Sequence, residues 1–216
     1  MPDIKNTTLD DLISGPFGKP IFVVKYGSDR NDIDLLAVYK DTPLRNEIIT
    51  GRIDLLNYDI NCMNYLIRNF DPVITEPLLT GQLIMGNEDD YKYYLHKCDN
   101  QLIKTEMISY LYHRAISAYD SAYEFLNSFN DTQQISPSAQ FGFWNNLLWA
   151  ISYREYARYY SKSIQLRTSA VQLQHIVSQL PSDILKLWNF SNKSKRSCKK
   201  TKNFKSALYK YTSLCL

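Results

Sequence analysis

Asp32, Asp34 and Asp54 are the residues whose type and spacing could do chemistry. Asp32 and Asp34 flank Ile33 and lead into Leu35-Leu36-Ala37-Val38, a short apolar run that predicts a buried strand. Side chains alternate across a strand, so the two acids are expected on one face while Ile33 points into the core. Asp54 is the second residue of another predicted strand, Ile53-Asp54-Leu55-Leu56-Asn57-Tyr58, which follows Thr50-Gly51. Neighbouring strands lie about 4.8 Å apart, so its carboxylate could join the same cluster. Three carboxylates in one place need cations. Two Mg²⁺ ions roughly 3.5–4 Å apart would use their oxygens, activating an attacking hydroxyl and stabilising a leaving pyrophosphate. Asp59 competes with Asp54 for the place of third acid.

The residues just upstream suit a phosphate-bearing substrate. Gly27 lets the backbone approach a phosphate without a Cβ clash, the Ser28 hydroxyl can hydrogen-bond a terminal phosphate oxygen, and Arg30 could supply positive charge. In order, Gly27-Ser28, Asp32-Ile33-Asp34-Leu35 and Ile53-Asp54-Leu55 resemble the motifs of the DNA polymerase beta nucleotidyltransferase superfamily. The stretch Glu76-Pro77-Leu78-Leu79-Thr80-Gly81 is also similar to small bacterial nucleotidyltransferases, which often carry a helical C-terminal region. The resemblance covers roughly the first 90 residues, motif by motif. It implies two-metal transfer of a nucleoside monophosphate from a triphosphate, with Asp32, Asp34 and Asp54 as catalytic metal ligands and Gly27, Ser28 and Arg30 at the nucleotide. Only Asp29, Arg30 and Asn31 separate Ser28 from Asp32, where the family places about ten residues, so the loop that wraps the triphosphate is clipped.

Plainer readings compete. Asp29, Asn31 and Asp32 are ordinary hairpin-turn residues, but an acid placed as Asp34 is, at the head of a core strand, is harder to explain as a turn. Gly15-Pro16-Phe17-Gly18-Lys19-Pro20 lacks the Walker spacing and precedes its strand, which reads as a turn. His96, His113 and His175 stand alone and receive no role. Arg167 and His175 are too far apart for the Arg-x4-6-His pattern of HEPN ribonucleases. Tyrosines such as Tyr91, Tyr94, Tyr156 and Tyr160 recur at helical spacing, which fits core and rim better than a base-stacking surface.

The elements that must position the acids form a small sheet: Ile21–Val24, Leu35–Val38 and Ile53–Tyr58 as strands, with residues 42–49 a loop containing about one helical turn. Helical periodicity begins at Asp59, with Met63, Leu66, Ile67 and Phe70, and Asp71-Pro72 is expected to stop it. Leu78, Leu79 and Leu83 suggest a second short helix. Beyond Gly86 one apolar stripe runs from Tyr94 through Cys98, Leu102 and Ile103 to Met107, Leu111, Ile116 and Tyr119. A polar loop over 127–140 precedes a helix opened by Trp144, a helix over 166–180 follows, and Pro181-Ser182-Asp183 starts a last one through Trp188. The fold class expected is α+β: a small mixed sheet of the nucleotidyltransferase type followed by a helical bundle. The division expected is a nucleotidyltransferase domain over 1–88, a helical domain over 89–190 and a basic tail over 191–216.

With 216 residues and 44% hydrophobic content, the chain has enough apolar material for a packed core. No run approaches the roughly 18 apolar residues of a membrane span, and Met1-Pro2-Asp3-Ile4-Lys5 lacks signal-peptide order, so a cytoplasmic location and no membrane partner are expected. Cys62, Cys98, Cys198 and Cys215 are too scattered to suggest disulfides or structural zinc. Lys193, Lys195, Arg196, Lys199, Lys200, Lys202 and Lys205 carry the positive balance of a chain whose net charge is +3. This segment could contact nucleic-acid phosphates, and its few apolar residues suggest that it adds little to a core. The leading function is therefore Mg²⁺-dependent nucleotidyl transfer to an unidentified hydroxyl acceptor, with the helical half shaping the acceptor pocket. The alternative is a nucleotidyltransferase-fold module with impaired turnover that binds nucleic acid or a protein partner.

Overall fold

A computed structural model describes residues 13, 18–27, 33–40, 45–50, 53–127, 136–162, 173–197 and 204–215 of the 216. The chain is α+β. Strands β1 (Phe22–Tyr26), β2 (Ile33–Tyr39), β3 (Arg45–Thr50), β4 (Ile53–Asp59) and β5 (Gln82–Gly86) form one sheet in the order β3-β4-β2-β1-β5. The sheet is mixed: β2 and β4 run parallel, while β1–β2, β1–β5 and β3–β4 are antiparallel. Helices α1 (Ile60–Arg68), α2 (Pro72–Thr80) and α3 (Glu88–Asp99) accompany it. Helices α4 (Thr105–Asn127), α5 (Pro137–Ser161), α6 (Leu173–Ser178), α7 (Ser182–Ser197) and α8 (Phe204–Cys215) follow.

The chain divides into two compact units, 1–102 with 166–172, and 103–165 with 173–216. The first holds the sheet with α1–α3. Alternation along the strands gives the sheet two dry faces. Val23, Leu35, Ala37, Tyr39 and Leu55 cluster with Ile13 on one face, and the buried Tyr39 hydroxyl ties the strands together by donating to the Ile13 carbonyl (2.7 Å) and to Asn57 Oδ1 (3.3 Å). On the other face Phe22 meets Tyr91 and Tyr94 of α3, at ring-centroid distances of 5.8 and 6.0 Å. That packing places α3 with the sheet, whereas the boundary expected at 88/89 assigns nearly all of it to the helical domain. Asn87 caps α3, three acids fill its first turn, and His96 and Lys97 sit in its last, which suits the helix dipole. Burial in an apolar setting pushes the Cys98 thiol up to about 12, so it stays protonated at neutral pH.

Several local expectations give way. Residues 45–50 form β3 rather than a loop. Asp71-Pro72 starts a helix instead of stopping one. The preceding helix ends at Arg68, Phe70 turns the chain at φ 52°, and Asp71 caps α2 by accepting from Val73 N at 3.1 Å, with Pro72 in the first turn where its missing N–H costs nothing. Leu83 belongs to β5, not to a helix with Leu78 and Leu79. The stripe from Tyr94 to Tyr119 is two helices, and Leu102 and Ile116 are both exposed. Of the helix expected over 166–180, residues 173–180 are described and Leu173–Ser178 are helical, and the helix begun at Ser182 runs past Trp188 to Ser197.

The helical unit packs α5 against α4, α7 and α8. Phe143, Trp144, Leu147 and Ile151 of α5 meet Ala122, Ile184 and Leu187, and Phe204, Ala207, Leu208 and Tyr211 of α8 complete the cluster. The carboxyl-terminal segment therefore supplies core. Its apolar positions fall at i, i+3, i+4 and i+7, one helix face, beside lysines that point to water: Lys193, Lys205 and Lys210 are exposed. Among the described residues no helix is long and apolar enough to cross a membrane.

Candidate active site

The parallel pairing of β2 with β4 places Asp34 directly beside Asp54. Residues in register on adjacent strands point the same way, so both carboxyl groups leave one face of the sheet. Both are half-buried, while Leu35–Tyr39 and Leu55–Asp59 beyond them are buried, which puts the acids at the mouth of the strands. On the other side of β2, Tyr26 is the register partner of Asp34. One row therefore crosses three strands: Tyr26, Asp34, Asp54.

Gly27 ends β1 at φ +74°, a conformation that L side chains rarely adopt. A Cβ there would fall on Asp34 Oδ2, with the Asp34 carboxyl carbon 3.3 Å away. Gly27 is thus the floor on which the Asp34 carboxylate lies, a use for the missing side chain beyond access to phosphate. Gly27→Ala is expected to cost about 1–2 kcal/mol through its dihedral alone and to displace Asp34 as well. Thermal unfolding of the variant tests this, and an unchanged midpoint would show that the turn relaxes freely.

Asp59, the competing acid, lies at the opposite end of β4, roughly 16 Å away along the strand. It is buried and caps α1, accepting from Asn61 N (2.8 Å) and Cys62 N (2.9 Å). Ser28, Arg30 and Asp32 lie outside the described residues. Ile33, expected in the core, is 37% exposed as the first residue of β2, in register with the partly exposed Ile53 at the start of β4. Tyr26 was not singled out by sequence, although its place directly before Gly27-Ser28 at the end of a strand was the available signal. Among the described residues no group of three or more His, Cys, Asp or Glu side chains gathers as a metal site. Asp34 and Asp54 are the candidate acids that the described residues bring together.

No protein-family model matches the chain, and no curated protein sequence does. Among solved structures it is similar to a nucleotidyltransferase-like protein from Exiguobacterium sibiricum, at 15% identity and a TM-score of 0.37, over 98% of this chain and 73% of that one.

Proposed function

We propose that this chain is a metal-dependent nucleotidyltransferase that moves a nucleoside monophosphate from a triphosphate to a hydroxyl acceptor. The observation that carries the reading is the register of Asp34 with Asp54, two acids on one face at the mouth of adjacent strands, with the Gly27 turn beneath the first. Their oxygens are hard donors, and magnesium binds through one or two carboxylates together with substrate phosphates, so the pair fits it. Asp32, placed by sequence alone, would be the third ligand. Bound there, Mg²⁺ would offset charge developing on the triphosphate and make the acceptor hydroxyl more acidic. The remaining work falls to the chain: Gly27 keeps Asp34 in place, the Ser28 hydroxyl donates to a terminal phosphate oxygen, and Arg30 adds positive charge beside it.

The test is magnesium-dependent release of pyrophosphate from labelled triphosphates, offered total RNA, protein and aminoglycosides as hydroxyl acceptors. Label should pass to one acceptor class, and chelation should stop it. Ser28→Ala should weaken apparent triphosphate affinity about fivefold, the worth of one hydrogen bond, and slow turnover less. No release from any triphosphate in magnesium would leave a binding module on this fold.

A further inference from the structure

Within the helical unit, the end of α5 and the segment joining α6 to α7 enclose a recess. Glu155, Arg158, Tyr159 and Lys162 line it from the α5 side, and Gln179 and Pro181 from the other. The Glu155 carboxylate is buried and is held by two guanidinium groups, Arg154 and Arg158. Arg158 spends only Nη1 on it, at 3.2 and 3.3 Å. The rest of that guanidinium, the Lys162 ammonium and the Tyr159 hydroxyl have no hydrogen-bond partner among the described residues. The Tyr159 ring meets His175 edge-on at 6.1 Å, and Gln179 Nε2 lies 2.8 Å from His175 Nε2.

The charge balance selects the ligand. Glu155 offsets one of the three positive charges carried by Arg154, Arg158 and Lys162, and the carboxyl end of α5 offsets about half a charge more. A phosphate group at neutral pH carries close to two negative charges and several acceptor oxygens, which answers both the charge and the donor set. A single carboxylate would leave one cation unmet.

We propose that this recess binds a phosphate group, as the free anion or as the end of a phosphomonoester. Lys162 and Arg158 donate charge-assisted hydrogen bonds to it, Tyr159 donates a neutral one, and Glu155 braces Arg158 at the rim. The inference uses no residue of the sheet and stands apart from the nucleotidyltransferase reading.

Calorimetric titration of the full chain at low salt and pH 7.5 tests it, with inorganic phosphate and, separately, a nucleoside 5′-monophosphate. Saturable binding is expected, weakened about tenfold or more by Lys162→Met and by Arg158→Gln. Lys210→Met removes an exposed lysine elsewhere in the unit and should leave it unchanged. Tighter binding of the monophosphate identifies the phosphomonoester as the ligand, and equal affinity identifies the free anion; both support the site. Absence of saturable binding by either probe overturns it, as does equal weakening by Lys210→Met, which would mean that net charge alone is sensed. Lys162 is exposed, so its variant remains informative even if Arg158→Gln disturbs Glu155.

Discussion

Asp34→Asn is expected to reduce nucleotidyl transfer by about 10²–10³-fold or more while leaving the metal-free fold intact or slightly more stable. An amide has nearly the shape of a carboxyl group but is a poor ligand for a hard cation. The stability half follows from the register: Asp34 faces Asp54 across the β2–β4 ladder, and like charges directly opposite destabilise a sheet by roughly 0.2–1 kcal/mol. Thermal unfolding with chelator and with magnesium reads both effects. The parent chain should gain stability from magnesium, the variant should not, and without metal the variant should melt at or above the parent. Retained activity, or a midpoint several degrees lower without metal, would remove Asp34 from this role. Asp59→Ala should show the opposite pattern, losing about 1 kcal/mol with the α1 cap and leaving the chemistry of the row at Asp34 largely alone.

Ending the chain at residue 203 should unfold the helical unit. Phe204 lies edge-on to Phe143 at 4.8 Å and stacks on Trp144 at 5.3 Å. Tyr211 stacks on Tyr119 at 5.2 Å and donates to the Ala150 carbonyl at 3.4 Å, and the Tyr119 and Thr212 hydroxyls are paired at 2.9 Å. Truncating one buried Phe costs about 3–5 kcal/mol, against a total domain stability of about 5–15 kcal/mol, and α8 brings Ala207, Leu208 and Tyr211 besides. Limited proteolysis and circular dichroism of residues 1–203 should show early digestion and loss of cooperative melting. Phe204→Ala in the full chain should lower the midpoint by roughly 6–20 °C. A shortened chain that melts like the parent would show that α8 packs only weakly.

The difference between β2 and β3 shows what the sequence made legible. Leu35-Leu36-Ala37-Val38 is buried on both faces, and continuous apolar character announced it. Arg45-Asn46-Glu47-Ile48-Ile49-Thr50 lies at one end of the strand order, pairs among the described strands with β4 alone, and so needs little apolar character to be a strand. In β5, Leu83 stands four residues after Leu79, a spacing that matches a helix by coincidence, and only its pairing with β1 decides the matter. That Asp34 and Asp54 could approach each other was readable from alternation and strand spacing, although their register comes from the parallel pairing of β2 with β4. The contact of Gly27 with Asp34 was not, because it depends on how the β1–β2 pair closes. In the tail, a charge count drew attention to the lysines, while the apolar positions 204, 207, 208 and 211 carried the helical period that places α8 in the core.

The hydrogen bond from Tyr39 to Ile13 also sets where the folding unit begins. Ile13 is fully buried and lies 26 residues from the tyrosine that holds it, on the sheet face opposite the acids. A version begun at Gly18 would keep every strand named above and every candidate ligand, yet take Ile13 away from Val23, Leu35, Ala37 and Leu55 and leave more of their surface uncovered. Exposed apolar surface of that kind recruits other copies of the same chain. Solubility during production is thus governed from a face that takes no part in the chemistry.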